Sequence, residues 1–283
     1  MEQIAIPPSP PPPEKPELPE GLTPRWPPWY AAVGFVVALI GTLIAVGIVA
    51  VATGASSDDE NPTFTIVATL MQSIIFIGTA VLFASFTRKP EPWHFGLRRT
   101  RFWPAVGWAA VGLFSFYVLA AIYTAAVHPD AEQTVAQDLG ADQGSFGLIA
   151  AGFMIVCVAP VAEEFFFRGF FYRALRTRYT VLVAAAIDGA LFGIIHYSGS
   201  GAEGLLILPP LAALGFMFCL VYERTGSLFT VIALHALNNA LAFGSQAEGW
   251  GVSAVFGPLM LVACVLVPRL TPPAPRPGAP AHA

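Results

Sequence analysis

Long apolar runs alternate with short polar breaks along the whole chain. Eight runs stand out, near residues 29–54, 64–87, 103–127, 145–167, 180–198, 204–222, 227–244 and 250–267. Each is close to the ~20 residues that a bilayer-crossing helix needs. The pattern predicts an all-α fold, a polytopic membrane helix bundle with about eight transmembrane helices. The fourth run should continue as a helix toward residue 177. Residues 1–28 carry eleven prolines and four glutamates, which predicts an extended or disordered tail rather than a secretory signal. The organisation expected is a proline-rich tail (1–28), three helices (29–144), a core carrying the polar chemistry (145–245), a last helix (246–268) and a second loose tail (269–283).

Composition agrees with a membrane protein. The 283 residues are 55% hydrophobic and 11% charged, with mean hydropathy +0.66, against about 25% charged residues in soluble domains. No basic stripe points to nucleic acid. Cys157, Cys219 and Cys264 lie in apolar runs, fit no metal spacing and read as small buried hydrophobes.

Charge then orients the bundle. With the N-terminus inside and strict alternation, the inside segments are 1–28, 88–102, 168–179, 223–226 and 268–283. They hold all 14 Lys and Arg of the chain. The outside loops hold Asp58, Asp59, Glu60, Asp130, Glu132, Asp138, Asp142, Glu203 and Glu248 and no basic residue. The positive-inside rule therefore predicts both termini in the cytoplasm. Trp26, Trp29, Tyr30, Trp93 and Trp103 are expected in the interfacial belt.

Few ionisable groups remain at membrane depth: Glu163, Glu164, Arg168, Asp188, His196 and His235, with Asn238 and Asn239 beside the last. Such groups are costly there and mark functional sites by default. Glu164 and Arg168 are spaced i,i+4 and can pair along one helix face, whereas Glu163 lies about 100° round the helix. One glutamate then reads as structural and the other as free for chemistry. A turn near residue 179 brings Glu163 level with His196, both about 25 Å along their helices. Phe192 shares the His196 face one turn earlier. Asp188, a turn further back, reads as a charge partner for an arginine in the 168–173 stretch. His235 and Asn239 share a face of the seventh helix, and Asn238 points elsewhere, suited to an interhelical hydrogen bond.

Each residue alone has a bland explanation as helix–helix glue. Three helices that each supply an acid–base or ligand group are harder to explain that way. A carboxylate and an imidazole converging on a water make a general base, and a second imidazole with an amide can donate to an oxyanion. The same Glu163, His196 and His235 could instead hold a zinc ion with one open position. HExxH is absent, and no Ser or Cys stands out as a nucleophile beside these histidines.

Glu163-Glu164-x-x-x-Arg168, Phe192-x-x-x-His196 and His235-x-x-x-Asn239, in that order on three apolar helices, resemble the three motifs of the CPBP family. These are the CAAX-protease and bacteriocin-processing intramembrane proteases, also called the Abi family. The resemblance spans about residues 145–245. It implies Glu163 as catalytic base, His196 as its helper in activating water, and His235 with Asn239 as the oxyanion site. Glu164, Arg168 and Phe192 would support that site. It favours a glutamate-dependent protease with no required cofactor, zinc remaining the alternative. It also implies a multi-pass protein of the prokaryotic inner membrane, acting on a membrane-associated or lipid-modified peptide; the proline-rich tail, by its composition, is open to an accessory protein. A non-catalytic scaffold or bacteriocin-immunity protein of the same fold is the competing reading. A proton-coupled transporter ranks third, because no internal repeat is evident.

Overall fold

The computed structural model describes residues 26–54, 61–129, 134–197 and 201–270. The two tails expected to be disordered lie almost wholly outside these residues, as do the loop charges Asp58, Asp59, Glu60, Asp130 and Glu132. Among the described residues all regular structure is helical, and the main helices are α1 (Trp29–Thr53), α2 (Pro62–Ser85), α3 (Phe102–Val127), α4 (Gly144–Arg176), α5 (Val181–Ile194), α6 (Leu208–Thr225), α7 (Leu228–Gln246) and α8 (Trp250–Leu266). Local chemistry sets several of the boundaries. Asn61 caps α2 by accepting the Phe64 N–H at 3.1 Å, with Pro62 in the first turn. Gly226 ends α6 with a left-handed φ of 61°.

Among the described residues seven helices are long and apolar enough to cross a membrane, and the chain is a multi-pass membrane protein. Their outward residues, such as Leu43, Ile48, Phe114, Ile122 and Val255, are exposed and apolar, as lipid requires. The remaining predicted span, 180–198, is shorter than its hydropathy implied. Its helix α5 has 14 residues, or about 21 Å against a ~30 Å hydrocarbon core. The run of apolar letters continues through Ile195, but the backbone turns out of the helix at Ile195–His196. Hydropathy counts side chains and cannot see that turn.

The second half of α4 is buried on all sides. Phe166, Phe167, Arg168, Gly169, Phe170, Phe171 and Tyr172 are all inaccessible. Phe166 stacks on Phe76 of α2 at 4.9 Å, and Phe165 stacks on Phe95 at 4.5 Å. Trp26 and Tyr30, expected in the interfacial belt, turn inward instead. Trp26 packs on Phe95 and Phe170 under Arg173, and Tyr30 packs on Phe83. Trp29 and Trp103 stay exposed at helix ends.

Helices α5 and α6 meet backbone to backbone. A Cβ at Gly189 would lie 2.5 Å from the Ala212 carbonyl oxygen, and one at Gly215 would lie 3.0 Å from Gly189 Cα. Small residues permit this approach, the usual device for joining helices in lipid. It fixes α5, and with it Asp188, Phe192 and His196, against α6.

A short 3-10 turn, Pro92–Phe95, lies between α2 and α3. In it, buried His94 accepts the Glu91 N–H on Nδ1 at 3.0 Å. Burial, aided by nearby Arg88 and opposed by Glu91, pushes the His94 pKa down to about 4.

Candidate active site

The site sits where α4, α5 and α7 converge, and the backbone of α4 is unusual there. Two π-helical stretches, Met154–Val158 and Phe165–Tyr172, flank the short α-helical segment Ala159–Glu164. Such wide turns are rare and concentrate at functional sites. Pro160 accounts for the end of the first. In the π pattern the Ala159 N–H bonds the Met154 carbonyl, so the next bond would run from residue 160 to Ile155. Proline has no N–H to give. The Ile155 carbonyl accepts instead from Asn239 Nδ2 of α7, at 3.0 Å. Asn239 Oδ1 in turn accepts from Asn238, and Asn238 accepts from the Tyr117 hydroxyl of α3. Asn238 therefore links helices, as expected, and one Asn239 amide N–H is committed to the backbone of α4.

Glu164 faces the core with no exposure. Its Oε1 lies 3.0 Å from Arg168 NH1 and 2.7 Å from His235 Nδ1. The i,i+4 pair read from spacing is present, and the glutamate also holds a histidine that spacing could not reveal. Arg168 has three directed partners. Besides Glu164, its Nε is 3.4 Å from Asp188 Oδ1, and its NH2 donates to the Gly215 carbonyl at 2.8 Å. The guanidinium also lies over the Phe192 ring at 4.5 Å. Asp188 is thus an arginine partner, as its register implied, and accepts the Cys219 S–H at 3.2 Å. All four charged or polar members lie away from solvent, where unpaired charge is most costly.

Glu163 points the other way. Its Oε2 lies 3.9 Å from His196 Nε2 and 3.9 Å from His235 Nε2. Its side chain is 14% exposed and that of His196 23%, so this corner alone of the cluster is open. The hydrogen bonds fix the histidine tautomers. His196 Nδ1 is 2.7 Å from the Phe192 carbonyl, which can only accept, so Nδ1 carries the proton. His235 Nδ1 likewise donates to the Glu164 carboxylate. Both Nε2 atoms therefore turn toward Glu163. A gap of 3.9 Å is too long for a hydrogen bond, and a water about 2.8 Å from both atoms of a pair would bridge it. It is wider than the roughly 3.3 Å between ligands each about 2.05 Å from a tetrahedral zinc. Among the described residues no group of three or more His, Cys, Asp or Glu is arranged to hold a metal ion.

Residues 145–241 match the family described as type II CAAX prenyl endopeptidase Rce1-like, the segment that holds Glu163, Glu164, Arg168, Asp188, Phe192, His196, His235 and Asn239. The match bears out the CPBP resemblance read from the motifs and supports a protease. The chain is 28% identical over 140 residues to the Bacillus subtilis protein YyaK, described as uncharacterized, covering 48% of this chain and 46% of that protein. It is 31% identical over 91 residues to the putative membrane peptidase YdiL of the same organism, covering 32% of this chain and 35% of that protein. The chain thus spans less than half the length of these curated relatives. No solved structure matches it.

Proposed function

We propose that this protein is an intramembrane endopeptidase that hydrolyses a peptide bond with a water activated by Glu163. The observation that carries the proposal is the approach of Glu163 Oε2 to both imidazole Nε2 atoms at 3.9 Å. A water held between Glu163 and His196 gives its proton to the carboxylate as its oxygen bonds the scissile carbonyl carbon. His235, when also protonated on Nε2, donates to the resulting oxyanion, and the second N–H of Asn239 joins it. The C–N bond then breaks, and the proton taken by Glu163 passes to the leaving amine. Glu164 and Arg168 hold His235 and α5 in register without touching substrate. This scheme needs no resident metal.

The substrate class proposed is a membrane-associated or lipid-modified peptide, in line with the prenyl endopeptidase description of the matched family. Both termini are assigned to the cytoplasmic face of a bacterial inner membrane, on the one-sided distribution of the 14 basic residues. Arg168, Arg173 and Arg176 leave that count of loop charges, since all three are buried inside α4, and the other eleven keep the one-sided distribution.

The test compares membrane and secreted proteomes of cells carrying the wild-type chain or Glu163→Gln, looking for altered protein termini, and then assays the purified protein on the peptide identified. Glu163→Gln and His196→Ala are each expected to lose about 10²–10⁴ of the rate, the usual share of a general base, and chelator is expected to leave it unchanged. Full activity of purified Glu163→Gln would sink the mechanism. Loss with chelator that zinc restores would move it to a metal centre.

A further inference from the structure

On the far side of α7 from the site, α3, α7 and α8 leave a groove of about 800 Å³, within the about 300–1,000 Å³ of ligand pockets. Its walls are aliphatic: Ala105 and Ala109 of α3, Ala233 and Leu237 of α7, and Val262 and Val265 of α8. Small side chains on facing helices leave the gap open. On α7, residues 233 and 237 lie about 200° round the helix from His235 and Asn239, so the groove and the candidate active site use opposite faces.

One end of the groove is cationic. Arg99 and Arg269 line it, beside the starts of α3 and α7 and the end of α8. Both are exposed and have no ion pair among the described residues. The segment carrying Arg99 is tied down on both sides. Arg98 Nε donates to the Gly226 carbonyl at 2.6 Å, Ser227 Oγ donates to the Arg98 carbonyl at 2.7 Å, and Thr100 Oγ1 donates to the Thr225 carbonyl at 3.0 Å. The rim is therefore built into the turn between α6 and α7.

We infer that this groove binds an anionic phospholipid, its phosphate on Arg99 and Arg269 and an acyl chain along the aliphatic walls. Three arguments fix this occupant. The wall from Phe102 to Leu113 runs about 16 Å along α3, a length suited to an alkyl chain. The two cations at one end complement a phosphate, which guanidinium binds through paired N–H donors. Both cations also fall on the side to which the basic loops assign the cytoplasm, where basic clefts between membrane helices take anionic headgroups. A neutral lipid would satisfy the walls and leave both charges unanswered.

The test uses the full chain, purified and placed in mixed micelles with phosphatidylglycerol or phosphatidylcholine, and counts retained lipids by native mass spectrometry. One phosphatidylglycerol per chain is expected, with little phosphatidylcholine. Retention should fall at least tenfold in the Arg99→Gln/Arg269→Gln double variant and in Ala233→Phe, which fills the groove. Should Ala233→Phe fail to fold, the surface double variant decides alone. Equal retention of the two lipids, or retention indifferent to the arginines, would overturn the inference. So would a groove that takes lipid only in a chain ending at Leu270, which would make the chain's own C-terminal segment the occupant. These readouts involve no cleavage, so the outcome stands apart from that of the protease mechanism.

Discussion

Arg168→Met isolates the energetics of the buried charge cluster. Arg168 lies 3.0 Å from Glu164 and 3.4 Å from Asp188, with both partners and itself fully buried. At an effective dielectric constant of 20, each contact represents about 5 kcal/mol of gross attraction, largely offset by desolvation. Removing the cation alone strands two carboxylates, and breaking a buried pair costs about 3–5 kcal/mol. Against a total stability of about 5–15 kcal/mol, that is expected to lower the melting temperature by roughly 10 °C. The six tryptophans supply an intrinsic fluorescence probe in detergent. The discriminating variant adds Glu164→Gln and Asp188→Asn to Arg168→Met. It removes every charge of the triad while keeping an acceptor for His235 and for Cys219. Most of the lost stability should return, since neutral replacements of buried ion clusters are often tolerated. Activity should not return, because a neutral amide at 164 can orient His235 but cannot stabilise the protonated imidazole that donates to the oxyanion. A triple variant as unstable as Arg168→Met would refute the charge argument and leave lost packing over Phe192 as the cause.

Other perturbations test separate links. Gly189→Ala puts a Cβ 2.5 Å from the Ala212 carbonyl and must push α5 off α6. It should cost about 100-fold in kcat/KM through misplaced His196, whereas Gly107→Ala, which meets nothing within 4 Å, should cost none. Asn239→Ala orphans the Ile155 carbonyl and should lose about 1–3 kcal/mol of stability. On a Pro160→Ala background, which restores an N–H, the loss should shrink, and a strictly additive cycle would refute the proline explanation. His94 titrates at about 4 in the fold against 6.5 unfolded, so the unfolded chain takes up its proton first as pH falls. Its contribution is therefore complete above about pH 6.5 and lost toward pH 4. Melting curves between pH 7.5 and 4.5 should fall more steeply for the wild type than for His94→Gln.

The spans, the Glu164–Arg168 pair, the level of Glu163 with His196 and the arginine partner of Asp188 were legible because they follow from helical rise and periodicity. These are properties of one helix or one hairpin. What escaped depends on contacts between distant segments or on backbone departures. Glu164 and His235 are 71 residues apart and meet only because α7 packs on α4. The π-helical stretches change the register that an ideal helix would give, and only Pro160 hinted at one of them. The length of α5 is not readable from hydropathy, because its apolar letters outlast the helix. Trp26 and Tyr30 were placed at the interface by residue type, but the aromatic core of α4 claims them. The Asn239 partner could have been suspected from Pro160 alone, since a mid-helix proline frees a carbonyl that something must satisfy.

The two adjacent glutamates are better understood as one device than as a structural residue beside a catalytic one. Glu164 Oε1 is shared by Arg168 and His235, so the ion cluster that tolerates burial is also the anchor of the imidazole. That anchor fixes the His235 proton on Nδ1 and turns Nε2 toward Glu163. Arg168 in turn ties Glu164 to Asp188 and to the Gly215 carbonyl, which links the positions of α4, α5 and α6. A change anywhere in this chain of contacts therefore reaches the 3.9 Å gap, although none of Arg168, Asp188 or Gly215 borders it. Buried charge is a poor way to gain stability. Here its consequence is orientation: three helices cannot shift independently without separating a carboxylate from its cation in a medium that offers no other partner.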